Sequence, residues 1–421
     1  MQRPQSRRQF LAGVSGGAAL LPTTLGASRF QTRPEPGGEH GESYWEEIRR
    51  QFSFRDERVP MNAANLCPSP RVVAEEVSAL TYDIDRDCSS QNRRKFVTLQ
   101  EASRAKVAAT LGVSSDEIAF VRNTSEANNI INNGIPLEAG DEVVVWDQNH
   151  PTNNIAWEVR GARFGFAVRR VATPVHPSGV GELVATFERV LTPQTRVLAL
   201  TQVSNVSGIK LPVAELCEVA HRRGIHVHVD GAQSWGALDL DLRALGCDSF
   251  SASAHKWFLG PKEVGLLYVK SEHVDRLWPG VVAPSWGREI EPSPIGARKF
   301  ESMGQRDDAA LAAIGTTDDF HARIGGGRIE TRIVSLATRL KEGLHDVGYT
   351  LLTPMAPEIS AGVCIAGVAG SDRGAVVQGL YEEHGIAGAG TGGLRLCPHL
   401  YNTVEHVERA VRGASALHRI A

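Results

Sequence analysis

The sequence predicts an α/β fold, a largely parallel sheet covered by helices on both faces, followed by a smaller α+β region. Three observations predict it. Short apolar runs rich in β-branched residues alternate with helix-like segments from about Asn62 to Lys270. Those runs are continuously apolar and end at turn residues, as strands buried on both faces do. The texture changes after Phe300, where longer helical patterns take over. In chain order, strands are expected at Val143–Trp146, Val197–Leu200, Ile225–Val229 and Val264–Val269, with helices at Thr124–Asn132, Thr152–Val159 and Pro212–Arg223. Beyond them, Asp307–Arg323 and Arg328–His345 read as two helices separated by Gly325-Gly326-Gly327. That triplet reads as a helix stop, because no strand precedes it as a phosphate loop would require. An amphipathic helix from Thr403 closes the chain. The expected organisation is a large domain over residues 61–300 and a small one over 301–421, with residues 41–60 packing against the small domain. In a parallel sheet of this kind, ligands sit outside the carboxyl ends of the strands.

Composition is that of an ordinary globular protein: 42% hydrophobic and 22% charged residues in a chain of 421. The formal net charge of −3 gives no electrostatic reason to expect nucleic acid. The six cysteines (Cys67, Cys88, Cys217, Cys247, Cys364 and Cys397) show neither a CxxC pair nor metal-ligand spacing, and read mostly as buried thiols. Ser6-Arg7-Arg8-Gln9-Phe10-Leu11 precedes an apolar run to Leu21 and a small-residue site near Gly26-Ala27. That is the layout of a cleaved export signal of the twin-arginine type over residues 1–27, followed by a linker over 28–40. The apolar run is shorter than the ~20 residues needed to span a bilayer, so no permanent membrane insertion is expected. Export machinery for folded proteins is an expected partner, and a periplasmic or secreted location follows.

Chemistry concentrates in four segments. In Phe250-Ser251-Ala252-Ser253-Ala254-His255-Lys256-Trp257, after a strand-like stretch, burial would lower the pKa of Lys256 and free its lone pair for nucleophilic work. Val227-His228-Val229-Asp230-Gly231-Ala232-Gln233 puts an acid at the end of a buried strand, where it needs a cationic partner, unless Asp230 merely caps a turn. Val121-Arg122-Asn123-Thr124-Ser125-Glu126 resembles a strand running into a helix N-terminus, which serves equally as an anion site or as ordinary helix capping. Asn149-His150-Pro151-Thr152 offers an imidazole after another strand, either to lie against a flat ring or as a satisfied polar group.

With strand-Asp-Gly-Ala-Gln followed by Ser253-x-His255-Lys256, the chain resembles the class V aminotransferase family of fold-type I pyridoxal phosphate (PLP) enzymes, which includes cysteine desulfurases and isopenicillin N epimerase-like proteins. The resemblance covers about Asn62 to Asn402. It implies a mostly parallel seven-stranded sheet flanked by helices, bound pyridoxal 5'-phosphate and a homodimer. It implies Lys256 as the lysine carrying the cofactor as a Schiff base, Asp230 paired with the pyridine nitrogen, and Gln233 and Asn205 at the ring oxygen. His150 would stack on the ring, and Thr124, Ser125, Ser253 and His255 would hold the phosphate. Arg395 corresponds to the family's substrate-carboxylate arginine, with Asn62 as a further substrate contact, although read alone Arg395 is equally a surface ion-pair residue. Where the family has Gly-Thr reaching the partner subunit's phosphate, this chain reads Gly304-Gln305-Arg306. Desulfurases carry a reactive cysteine on the loop before that arginine. Here Gly388-Ala389-Gly390-Thr391-Gly392-Gly393 has none, and Cys397 reads as a packing thiol.

The implied activity is transamination or epimerisation of an amino acid or peptide-like amine, with Lys256 as general base at Cα. Elimination of the desulfurase or lyase kind, and modification of a secreted metabolite such as a siderophore side chain, are the alternatives. Two other classes remain: a non-catalytic exported module on the same fold, and a metal-dependent amidohydrolase barrel using His226 and His228, which alternate onto one strand face.

Overall fold

The computed structural model describes residues 41–282, 295–368 and 373–418; the export signal and linker expected in residues 1–40 lie outside the described residues. The strands are β1 (Val59–Pro60), β2 (Ile118–Val121), β3 (Glu142–Trp146), β4 (Ala167–Val171), β5 (Thr195–Thr201), β6 (His226–Asp230), β7 (Ser249–Ser253), β8 (Gly265–Val269), β9 (Thr350–Leu351), β10 (Cys364–Gly367), β11 (Ile386–Ala387) and β12 (Leu394–Leu396). Seven of them form one sheet in the order β2-β8-β7-β6-β5-β3-β4. Pairing is parallel from β7 through β6, β5 and β3 to β4, and β8 alone runs antiparallel to its neighbours β2 and β7. Because β8 is the single reversed strand, β2 points the same way as β7. The carboxyl ends of β2, β3, β5, β6 and β7 therefore share one edge of the sheet.

Alternation along the strands loads the two faces differently. Phe120, Val144, Leu198, Val227, Val229, Phe250, Ala252 and Leu266 enter one apolar core with Leu183, Phe187 and Leu216 from the helices Val180–Glu188 and Val213–His221. Ala119, Val121, Val143, Val145, Val197, Ala199 and Leu267 enter the other, under the helices Thr124–Gly134 and Pro151–Phe164. On that second face β6 and β7 are polar instead: His226, His228 and Asp230 alternate with valines, and Ser249, Ser251 and Ser253 alternate with Phe250 and Ala252. The strand Ser249–Ser253 extends into the Phe250–Trp257 segment, which was expected to follow a strand-like stretch, because its serines hide the pattern that β-branched residues give elsewhere.

The two long helices Asp308–Ile324 and Gly326–Asp346 are separated by Gly325 alone. The expected three-glycine separator shrinks to one residue because Gly325, at φ 97°, makes the whole break, and Gly326 and Gly327 join the first turn of the next helix. The first of these helices lies against Ser90–Thr110, where the Ser103 hydroxyl donates to the Ala312 carbonyl at 2.6 Å. The change of texture at Phe300 is therefore spanned by packed helices, and residues from His40 onward form one compact unit. A small antiparallel sheet, β12-β10-β9, and the parallel pair β1-β11 complete it. The N-terminal helix Glu42–Arg49 is held by the bidentate pair between Arg332 and Glu42 (2.7 and 2.8 Å), and Trp45, Ile48 and Phe52 pack with Phe320, Ile324 and Tyr401. Among the described residues no helix is long and apolar enough to cross a membrane.

Gly231 turns the chain out of β6 directly over the Phe250 ring, and a Cβ there would fall 1.8 Å from Phe250 Cζ. Gly231→Ala is therefore expected to force the ring or the turn aside and lower stability by ~1 to 3 kcal/mol or more, measured as a fall in the urea midpoint at constant m-value.

Candidate active site

At the shared carboxyl edge a cavity of about 240 Å³ opens, lined by Thr124, Ser125, His150, Asn205, Asp230, Gln233, Ser253, His255 and Lys256 among others. Each stands at or just beyond a strand end. Asp230 ends β6, Ser253 ends β7 three residues before Lys256, and Thr124 opens the helix that follows β2. His150 caps the helix that follows β3, its Nδ1 accepting from the Thr152 backbone N–H at 3.3 Å. All of these residues were singled out in the sequence, and they line one cavity. Asn65, Asn123, Thr152, Thr201 and Ala232 also line the cavity and had not been assigned a role.

Asp230 is buried, and its carboxylate is held from two sides. The Ala232 N–H donates to Oδ1 at 3.0 Å and Asn128 Nδ2 donates to Oδ2 at 2.8 Å. Asn128 is the functional residue that sequence reasoning missed. It lies one helical turn after Thr124, on the face that meets the polar side of β6 and β7. Its Oδ1 accepts from Ser251 Oγ and lies 2.9 Å from His228 Nε2, while His228 Nδ1 lies 2.9 Å from Ser249 Oγ. Donor and acceptor accounting fixes the polarity. Asn128 donates to Asp230, so its oxygen accepts from His228 Nε2–H. His228 Nδ1 then accepts the Ser249 hydroxyl. Burial pushes the His228 imidazole down to about 3, which keeps it neutral as this accounting requires. With both nitrogens so engaged in an open sheet, His228 is not available to a metal, and the amidohydrolase barrel is set aside.

Burial also lowers the Lys256 pKa below the ordinary lysine value, with the Arg395 cation adding to the effect and Asp230 opposing it. His255 is pushed down to about 4, by burial first and then by the Lys256 and Lys262 charges. His150 is lowered by burial and by Lys256. At the helix N-terminus the Thr124 N–H donates to Ser253 Oγ at 2.8 Å, and the two hydroxyls lie 2.7 Å apart. Asn123 caps the same helix, accepting from the Glu126 N–H at 3.0 Å. Gln233 is fixed, its Oε1 accepting from Trp257 Nε1 at 2.7 Å and its Nε2 donating to the Ala64 carbonyl at 3.1 Å. Gly236, at φ 87°, lets the following turn pass against the Trp257 backbone, where a Cβ would meet its carbonyl at 2.4 Å.

Arg395 stands beside the cavity rather than in its lining. Nη1 donates to the Asn205 carbonyl and Nη2 to Asn62 Oδ1, each at 3.1 Å, while Nε is buried without a partner among the described residues. It is buried, so the surface ion-pair reading fails. Gln305 is exposed, donates to the Arg306 carbonyl at 2.8 Å and does not line the cavity formed by its own chain. Gly388–Gly393 lies between β11 and β12 without a thiol. Five of the six cysteines are buried, and burial raises the Cys397 thiol and pushes Cys67 up to about 12.

The class-V aminotransferase family matches residues 69–415. The chain belongs to that family. It is a family of pyridoxal phosphate enzymes. Isopenicillin N epimerase of Streptomyces clavuligerus is 31% identical over 390 residues, covering 89% of this chain and 98% of its own. A probable cysteine desulfurase of Methanothermobacter thermautotrophicus is 33% identical over 310 residues, 71% of this chain and 74% of its own. The solved cysteine desulfurase of Thermococcus onnurineus superposes with a TM-score of 0.81 at 22% identity, over 89% of this chain and 98% of that one. The architecture is accordingly that of the fold-type I PLP enzymes.

The cavity suits such a cofactor on its own chemistry. A buried carboxylate with fixed partners faces a lysine of lowered pKa, Thr201 Oγ1 is buried without a partner among the described residues, and a hydroxyl-lined helix N-terminus can accept a phosphate.

Asn128→Leu would leave Asp230 Oδ2, His228 Nε2 and Ser251 Oγ short of a partner in the core. A loss of ~2 to 4 kcal/mol in urea unfolding is expected, from ~1 to 3 kcal/mol for a buried polar group left unsatisfied. In the cofactor-free protein, acylation of Lys256 is expected to reach half its limiting rate below the ~10.4 of a solvated lysine, because desolvation disfavours the charged amine. Mass-spectrometric labelling against pH compares it with exposed lysines such as Lys95.

Proposed function

We propose that this chain is a PLP-dependent enzyme that removes the Cα proton of an amino acid or peptide-like amine bearing a free carboxylate, and then transfers its amino group or returns a proton to the opposite face. The observation that carries the proposal is the convergence of Lys256 and Asp230 in one cavity beside a fixed, partly unpaired Arg395. When bound, PLP supplies an electron sink conjugated to the substrate Cα. Lys256 would anchor the cofactor aldehyde and, as a free amine, would take the proton at Cα through Nζ; in transfer it would deliver that proton to the cofactor carbon, whereas in inversion the opposite face of Cα would take its proton from water at the cavity mouth. Its lowered pKa suits that task, since a base must be neutral to accept. Asp230, held by Asn128 and the Ala232 N–H, would keep the pyridine nitrogen protonated. Thr124, Ser125, Ser253 and His255 would hold the phosphate at the helix N-terminus, and His150 would support the ring. Asn205 and the second amide hydrogen of Gln233 would serve the ring oxygen. Arg395, with Asn62, takes the substrate carboxylate.

The direction away from sulfur chemistry rests on the loop Gly388–Gly393, which offers no thiol, and on buried cysteines whose protonated form burial favours. Identity to isopenicillin N epimerase over nearly its whole length supports the epimerase outcome. The chain acts as a homodimer in this reading, with Gln305 reaching the partner subunit's phosphate. The paired arginines Arg7 and Arg8 direct its export, cofactor already inside, to the periplasm or beyond.

In deuterium oxide, the holoenzyme is expected to wash the Cα hydrogen out of its substrates across a panel of amino acids and short peptides. Chiral analysis and keto-acid assay then separate inversion from transfer. No exchange across the panel, or sulfide release from cysteine as the only reaction, would refute this reading. Lys256→Ala is expected to lower the exchange rate by at least ~10²- to 10⁴-fold. Arg395→Ala is expected to raise KM by roughly 10- to 100-fold, as loss of a charge-assisted hydrogen bond of ~1.5 to 3 kcal/mol implies.

A further inference from the structure

The polar ladder on β6 and β7 does not stop at His228. Ser249 Oγ also lies 3.1 Å from His226 Nε2, at the amino end of β6 and the opposite edge of the sheet from the cofactor cavity. The Ser249 hydroxyl hydrogen is committed to His228 Nδ1, so its oxygen accepts from His226 Nε2–H, and His226 Nδ1 keeps a bare lone pair. At this edge three imidazoles from separate elements meet one carboxylate. His273, from the short helix after β8, lies with Nε2 3.0 Å from Asp248 Oδ1. His221, at the end of the helix before β6, lies with Nε2 3.0 Å from Asp248 Oδ2. The His226 and His273 rings meet edge to face at 4.9 Å, and one donor atom each of His226, Asp248 and His273 fall within 4.8 Å of one another.

We propose that His226, Asp248 and His273 form a binding site for a divalent transition metal of the zinc class, distinct from the cofactor site. Two imidazoles and a carboxylate are the donor set that such borderline metals take, and they leave positions open for water or an exogenous ligand. A cavity of about 440 Å³ at this edge supplies the room. The carboxylate is already oriented: Oδ2 accepts from the Val227 N–H at 2.7 Å and from His221, leaving Oδ1 toward His273. Such outer hydrogen bonds fix a ligand's direction. Glu272 adds a second carboxylate, with Oε1 3.5 Å from His273 Nε2, yet ion pairing engages only His273 and His221 and gives His226 no role in the cluster. Coordination uses His226 and His273 as neutral donors, with the His273 Nε2 proton moved to Nδ1 or released to solvent as the metal binds.

The test uses PLP-loaded enzyme stripped with chelator, desalted, titrated with Zn²⁺ and passed through gel filtration before metal analysis. One zinc retained per chain is expected in the wild type and in Lys256→Ala, since the site is independent of the cofactor lysine. His226→Gln and His273→Gln are each expected to weaken binding by at least ~100-fold, since even outer partners of a metal ligand are worth ~10- to 100-fold. Circular dichroism checks that both variants fold. Should either unfold, the Cu²⁺-loaded wild type answers instead, with electron paramagnetic resonance expected to show coupling to imidazole nitrogens. Substoichiometric zinc in the wild type, binding untouched in folded histidine variants, loss of zinc in Lys256→Ala alone, or a copper spectrum without nitrogen coupling would each overturn the site. Since metal retention is read without substrate, failure of the proposed reaction leaves this test intact.

Discussion

The fixed anion at the end of β6 is the constraint around which this protein is arranged. A carboxylate buried as deeply as Asp230 is costly unless hydrogen bonds and a cation compensate it. The chain provides the hydrogen bonds from its own scaffold, through Asn128 and the Ala232 N–H. The cation it leaves to whatever occupies the cavity and, without an occupant, to the nearby Lys256. Charge compensation is thus built into the fold only in part, which is a structural reason for the site to favour a ligand with a protonated ring nitrogen. The polar face of β6 and β7 exists to hold that anion still. Asn128, His228, Ser249 and Ser251 are all fully buried, and each gives and accepts in one consistent direction. A half-satisfied network of this kind would cost more than an apolar core in the same place.

Topology makes the rest of the site inexpensive to assemble. Since β8 alone is reversed, successive strands deliver their carboxyl ends to one edge. Each following loop can then place a side chain in the same cavity without long excursions. The Thr124–Gly134 helix does double duty. Its first turn presents hydroxyls toward the cavity, and its next turn supplies Asn128 to the ladder. Arg395 comes from the small sheet, on β12, paired with β10 and tethered to Asn62. Arg395 thereby depends on a contact between segments more than three hundred residues apart.

Much of this was legible in the sequence, for identifiable reasons. Lys256, Asp230, His150 and the Thr124-Ser125 pair announce themselves because strand ends and helix starts have local signals, and reactive residue types at such places are uncommon. Asn128 carries no such signal. An asparagine inside a helix looks like a solvated residue until the strand beneath it is known to be polar. That knowledge was available in the alternation His-Val-His-Val-Asp and Ser-Phe-Ser-Ala-Ser. A search for continuous apolar runs finds β6 only as Ile225–Val229, without its polar face, and for the same reason gives β7 no bounds. The Gly325 break was read too long because sequence shows which residues permit a positive φ, not which one uses it. Gln305 stands apart from its own chain's cavity, and a single chain offers nothing to decide what it meets.

The same frame carries relatives that act on carbon and relatives that act on sulfur, so the difference has to lie in groups placed over a common core. In this chain the candidate place is the turn between β11 and β12, where four of the six residues are glycine and none is a cysteine. The thiols that do exist serve packing. Cys67 accepts the Tyr401 hydroxyl inside an aromatic cluster, and Cys397 sits under β12 in the same core. A nucleophilic thiolate needs exposure and a positive neighbourhood, and burial denies both residues the first. What remains near the substrate is one amine of lowered basicity and one arginine shaped for a carboxylate. Proton movement at the carbon between amine and carboxylate is the chemistry those two groups can share.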